Sequence, residues 1–174
     1  VWGVIGGGEA ASVTVDGPQM GGAHADAVGY FWTTLYDASG DRPYLSGGEQ
    51  VGIYEDGHQV ADVTLRTISG QIDPVSDVVS GSLGGTGFPI DVTVYAPWGE
   101  PSPTAYSLTV STDGSGAFVA DFSGVWDFVV WDQAAVAYSE GGVEVHRHVY
   151  AGESLLVRPY PWDQVMGYAE PGAA

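Results

Sequence analysis

The tripeptide Val-x-Gly opens the chain at Val1-Trp2-Gly3, returns at Val79-Ser80-Gly81, and returns again at Val165-Met166-Gly167. Tripeptides recur by chance, so their neighbours must decide whether the three mark a repeat. After the first two comes a strand-like segment, Ser12-Val13-Thr14-Val15 and then Asp91-Val92-Thr93-Val94. Asp-x-x-Gly-x-Phe follows, as Asp26, Gly29 and Phe31 and again as Asp113, Gly116 and Phe118. Next, VGIYEDGHQV (Val51 to Val60) matches VAYSEGGVEV (Val136 to Val145) without a gap. Finally Ile72-Asp73-Pro74 with Asp77 precedes the second Val-x-Gly, and Val157-Arg158-Pro159 with Asp163 precedes the third. The order is kept throughout, so the chain reads as two copies of roughly 80 residues and the opening of a third. Its 174 residues suit one large domain or two small ones, and the repeat selects two.

Each motif has a physical reading as strand or turn. In VGIYEDGHQV alternate apolar residues face one way around Asp56-Gly57, the chemistry of a two-residue hairpin turn, and Gly141-Gly142 does the same in the second copy. Asp-x-x-Gly-x-Phe reads as a turn whose Gly takes positive φ and whose carboxylate bonds backbone N–H groups, with the Phe starting the next strand inward. Tyr106 to Thr112 and Gly116 to Phe122 flank it with alternating apolar residues, as half-buried antiparallel strands do. No window carries a helical stripe, and 27 Gly with 10 Pro suit many short strands. The expected fold is therefore all-β: two tandem immunoglobulin-like β-sandwich modules at 1–70 and 71–156, plus a C-terminal strand-like extension at 157–174.

The segments IDPVSDVVSG (Ile72 to Gly81), STDGSGAFVADFSG (Ser111 to Gly124) and DQVMGYAEPGA (Asp163 to Ala173) resemble the tandem immunoglobulin-like or carboxypeptidase-regulatory-like β-sandwich repeats of large bacterial surface proteins. In such arrays a V-x-G strand followed by Pro-Gly-Ala opens each module, and a T-D-x-x-G-x-F hairpin sits in its middle. The first copy departs from this pattern, with Gly6-Gly7-Gly8-Glu9 where Pro-Gly is expected. The resemblance implies modular structural or adhesive work outside the cell and carries no catalytic residue onto this chain.

Charge narrows the partners. Twenty-two acids stand against four Arg and no Lys, a net charge of −18, which repels phosphate backbones and anionic membrane surfaces. Nucleic-acid binding and membrane insertion are not expected. With no Cys there are no disulfides and no thiolate chemistry.

Four groups of residues bear on chemistry. Asp37, Ser39 and Asp41 place oxygen side chains at alternate positions, as Ca²⁺ loops do, but Arg42 stands where such a loop needs Gly and no acid closes it. A polar loop between strands explains them as well. Trp98, Trp126 and Trp162 are candidates for stacking on a glycan, with packing between modules as the competing reading. Asp127 and Asp132 lie among aromatics, a pattern that suits a sugar-cleaving carboxylate pair or simply a strand with two faces. His146 and His148 share one strand face without the further ligands a zinc site needs.

The sequence thus points to a non-catalytic structural subunit of an extracellular filament or cell-surface assembly. A β-strand without its own module exposes unpaired backbone groups, and pairing with another copy satisfies them. The extension, through Val157, Asp163, Val165, Gly167 and Tyr168, is expected to supply that intersubunit strand, giving a head-to-tail homopolymer with no cofactor. The alternative is an extracellular carbohydrate-binding or adhesive module, with a glycosidase a distant third.

Overall fold

A computed structural model describes residues 1–43, 45–95, 105–129, 132–140 and 143–151, together with the backbone of 154–158 and 164–168. Among these residues there are strands and turns and no helix, so the chain is all-β. It divides into two compact units, Val1–Thr67 with Ser139–Val145, and Ile68–Tyr138 with His146–Ala174.

The first unit holds β1 (Trp2–Val4), β2 (Ala10–Val15), β3 (Gln19–His24), β4 (Tyr30–Trp32), β5 (Gln50–Glu55) and β6 (His58–Thr64). They form an antiparallel sheet in the order β3-β2-β5-β6 and a second, two-stranded sheet β1-β4. Alternation along β2 sends Ala11, Val13 and Val15 inward, where they gather with Val51, Val63 and, from the other sheet, Phe31. One core shared by two sheets is a β-sandwich. At the hairpin tips Asp16 and Gly17 have φ of 49° and 105°, and Asp56 and Gly57 have 45° and 82°. Positive φ at both central residues matches the right-handed twist of the strands they join.

The second unit holds β7 (Ile68–Asp73), β8 (Val78–Leu83), β9 (Pro89–Tyr95), β10 (Ala105–Ser111) and β11 (Ala117–Asp121). Most of β12 (Gln133–Glu140) and β13 (Val143–Tyr150) belongs to it, as do β14 (Ser154–Arg158) and β15 (Gln164–Tyr168). Its sheets run β10-β9-β12-β13 and β11-β8-β7. They pack closely: a Cβ added to Gly70 on β7 would lie 3.0 Å from Val149 and 3.4 Å from Val136 in the facing sheet. Ile90, Val92, Val94, Val136 and Phe122 are fully buried there. Phe122 meets Tyr106 and Phe128 edge to face, with ring centroids 6.3 and 5.8 Å apart.

The two units share one plan. β3-β2-β5-β6 corresponds to β10-β9-β12-β13, and β4-β1 to β11-β8, with β7 added outside β8. β14 and β15 repeat the β7–β8 pair in register: Val157 faces Val165 as Ile72 faces Val79, and Leu155 faces Gly167 as Gly70 faces Gly81.

In one place the ungapped sequence match differs from the strand register. Val13 pairs with Ile53, whereas its counterpart Val92 pairs with Val136, so Val136 corresponds to Ile53 and not to Val51. β12 and β13 span eight residues each, against six and seven for β5 and β6. A slip of two residues leaves every side chain on its original face, so the hydrophobic pattern is blind to it.

Candidate functional site

The two repeated motifs are halves of one contact. Gly3 on β1 is the cross-strand partner of Phe31, and Gly81 on β8 is the partner of Phe118. A Cβ added at either glycine would lie 2.7 Å from the facing Phe ring. The ring occupies the space a side chain would need, which is why Val-x-Gly must end on Gly. The turn that delivers each Phe is built alike. Asp26 Oδ1 accepts from the N–H of Val28 and Tyr30, each at 2.9 Å. Asp113 Oδ1 accepts from the N–H of Ser115 and Ala117, at 2.8 and 3.0 Å. Gly29 and Gly116 have φ of 88° and 84°, and Ile5 and Leu83 donate N–H to their carbonyls at 2.8 and 2.9 Å.

The same turn occurs a third time at Asp37. Its Oδ1 accepts from the N–H of Ser39 at 2.8 Å and of Asp41 at 3.0 Å, Gly40 has φ of 85°, and Asp37 N–H donates to the Asp41 carbonyl at 2.8 Å. The alternate oxygens of Asp37, Ser39 and Asp41 therefore follow from turn chemistry. Arg42 takes the place that Phe31 and Phe118 hold in the other two. Among the described residues no three His, Asp or Glu side chains gather in a way that would hold a metal ion.

Of the three tryptophans expected to face a glycan, Trp98 and Trp162 lie outside the described residues. Trp126 is half-buried, and its indole N–H donates to Asp132 Oδ2 at 3.0 Å. Asp132 is only 2% exposed, and the same oxygen accepts from Val129 N–H at 3.0 Å. Its carboxylate thus fastens the loop after β11, while Asp127 is exposed to solvent. His146 and His148 both lie on the exposed side of β13. Partial burial, then the neighbouring His146, holds His148 below the usual imidazole value. Of the expected intersubunit residues, Val157 falls on β14 and Val165, Gly167 and Tyr168 on β15, while Asp163 lies outside the described residues.

Glu9 and Glu55 come together in a way the sequence did not announce. Their carboxyls share a hydrogen bond, which with their mutual repulsion raises Glu9 above its ordinary value. The same bond, together with the Gly6 N–H, lowers Glu55.

The sequence reading also passed over a groove of about 670 Å³ beside β4, lined by Gln19, Gly21, Gly22, Trp32, Tyr36 and Arg42. From Phe31 onward the chain alternates: Phe31, Thr33 and Leu35 are buried, while Trp32 is 63% exposed and Tyr36 48%. Tyr36 N–H donates to the Met20 carbonyl at 2.9 Å, and Thr33 Oγ1 donates to the Gly22 carbonyl at 3.2 Å, which seats this segment along β3. The signal was the period-two run Phe-Trp-Thr-Thr-Leu-Tyr, whose outward residues include two aromatics.

No protein-family model matches the chain, and no curated protein matches it. Among solved structures it is similar to a tetra-tandem repeat in the extending region of a large adhesion protein, with a TM-score of 0.35 and 14% identity. That match covers 86% of this chain and 44% of the other.

Proposed function

We propose that the protein is a non-catalytic structural subunit of an extracellular filament or cell-surface assembly, joined head to tail by β-strand addition. The observation behind this reading is the β14–β15 pair, which repeats the register of β7–β8. In the second unit β8 pairs on its other side with β11, whose Phe118 covers Gly81. Among the described residues no strand stands beside β15 in that way. In the proposed contact β4 of a neighbouring protomer takes the place, with its Phe31 over Gly167.

β15 then substitutes for the neighbour's own β1, a strand of three residues. The sheet β14-β15-β4 so formed has the order of β7-β8-β11. Such a contact joins the second unit of one protomer to the first unit of the next, and a head-to-tail contact that does not close extends as a filament. A non-catalytic role is supported by Asp132, whose carboxylate is engaged in holding its loop. The test is deletion of 163–174 alongside the single change Gly167→Val. Both proteins should remain folded monomers by sedimentation. Normal polymerisation of either one would refute the strand-addition reading.

A further inference from the structure

We propose that the groove beside β4 binds a neutral glycan, stacked on Trp32 and Tyr36 and hydrogen-bonded by Gln19 and Arg42. The repeat provides an internal control for this assignment. Inward positions stay apolar or small in both copies, Phe31, Thr33 and Leu35 against Phe118, Ala120 and Phe122. Outward, where the first copy has Trp32, Thr34 and Tyr36, the second has Val119, Asp121 and Ser123. The sandwich therefore forms without aromatics on this face, and their presence in the first copy needs another reason.

The groove has the composition of a sugar site. The Gly21-Gly22 backbone lines it, and a Cβ on Gly22 would lie 3.3 Å from the Gln19 side-chain amide that also lines it. Its volume falls within the range of about 300–1,000 Å³ usual for small-molecule sites. Among the described residues the Trp32 indole N–H, the Tyr36 hydroxyl and the Arg42 guanidinium have no protein partner, so each is available to a hydroxyl-bearing ligand. Aromatic faces with polar edges suit the apolar face and hydroxyl rim of a pyranose. A polyanionic glycan is disfavoured by the net charge of −18 and by Asp37 and Asp41 next to Arg42. An apolar partner would leave those donors unsatisfied.

The experiment titrates the purified protein, by calorimetry and tryptophan fluorescence, with neutral gluco-, manno-, xylo- and galacto-hexasaccharides and with a hexauronate. At least one neutral hexasaccharide should bind. Trp32→Ala and Tyr36→Ala should each weaken it about tenfold, as loss of an aromatic contact does. Arg42→Ala should weaken it less, and none of the three should lower the thermal midpoint. The proposal is overturned if no neutral sugar binds, if only the hexauronate binds, or if binding survives both aromatic substitutions. It is also overturned if Trp32→Ala acts by dissolving a dimer, since the face would then pair two copies. Filament assembly is not part of the readout, so this site and the strand-addition reading stand or fall separately.

Discussion

At the scale of single residues, the repeat is a set of backbone requirements. Gly116 has φ of 84°, and a Cβ there would sit 2.5 Å from the Leu83 carbonyl oxygen, so Gly116→Val combines a disfavoured conformation with a clash. It should cost about 1–3 kcal/mol in a denaturant melt. Gly114→Ala, two residues earlier and with nothing within 4 Å, should change little. Glu9 gives a second prediction. Its raised value means that the stability it contributes is present at low pH and is lost as pH rises through that value. Glu9→Gln should therefore raise the thermal midpoint at neutral pH, and the gain should vanish on acidification. The turn chemistry of Asp26, Asp113 and their glycines was legible in the sequence because it is local. The Phe-over-Gly contact was not, since its partners meet only once β1 and β4 pair.

At the scale of elements, strands and hairpin tips could be read from alternation and from Asp-Gly, because both signals lie within a few residues. The length of the hairpin β12–β13 could not, since a two-residue slip preserves facing and only the pairing of Val92 with Val136 exposes it. The same logic hid the groove: Trp32 and Tyr36 lie on an outward face, and alternation reports which residues face in. Phe122 is the strongest packing element after β11, fully buried against Tyr106 and Phe128. Phe122→Ala should cost about 3–5 kcal/mol by chemical denaturation. Asp132 fastens the same loop through Trp126 and Val129.

At the scale of the whole molecule, acids dominate, and several are held by bonds that exist only when folded. Hydrogen bonds from Ser115, and then from Ala117, hold Asp113 below its ordinary value of 3.8, and Ser76 and Ser123 act likewise on Asp73 and Asp121. The hydrogen bond from Arg66 does the same for Glu140. For a lowered carboxyl the stability is present above the ordinary value and is lost as pH falls through the depressed one. Thermal melts taken downward in pH should therefore show an acid limb below 3.8 that Asp113→Ala makes shallower.

One copy meets the next, in the proposed assembly, through β15 and β4, and the absence of Cys makes a direct measurement possible. Trp2 pairs with Trp32 across β1 and β4, and position 166 would take the place of position 2 in the proposed exchange. Paired strands bring such positions within the Cα separation of roughly 4.4–6.8 Å that a disulfide needs. Protein carrying Met166→Cys, mixed under oxidising conditions with protein carrying Trp32→Cys, should yield a covalent heterodimer well above the level given by a distant surface pair. Filaments that form without that cross-link, or a cross-link no stronger than the control, would contradict assembly by β-strand addition.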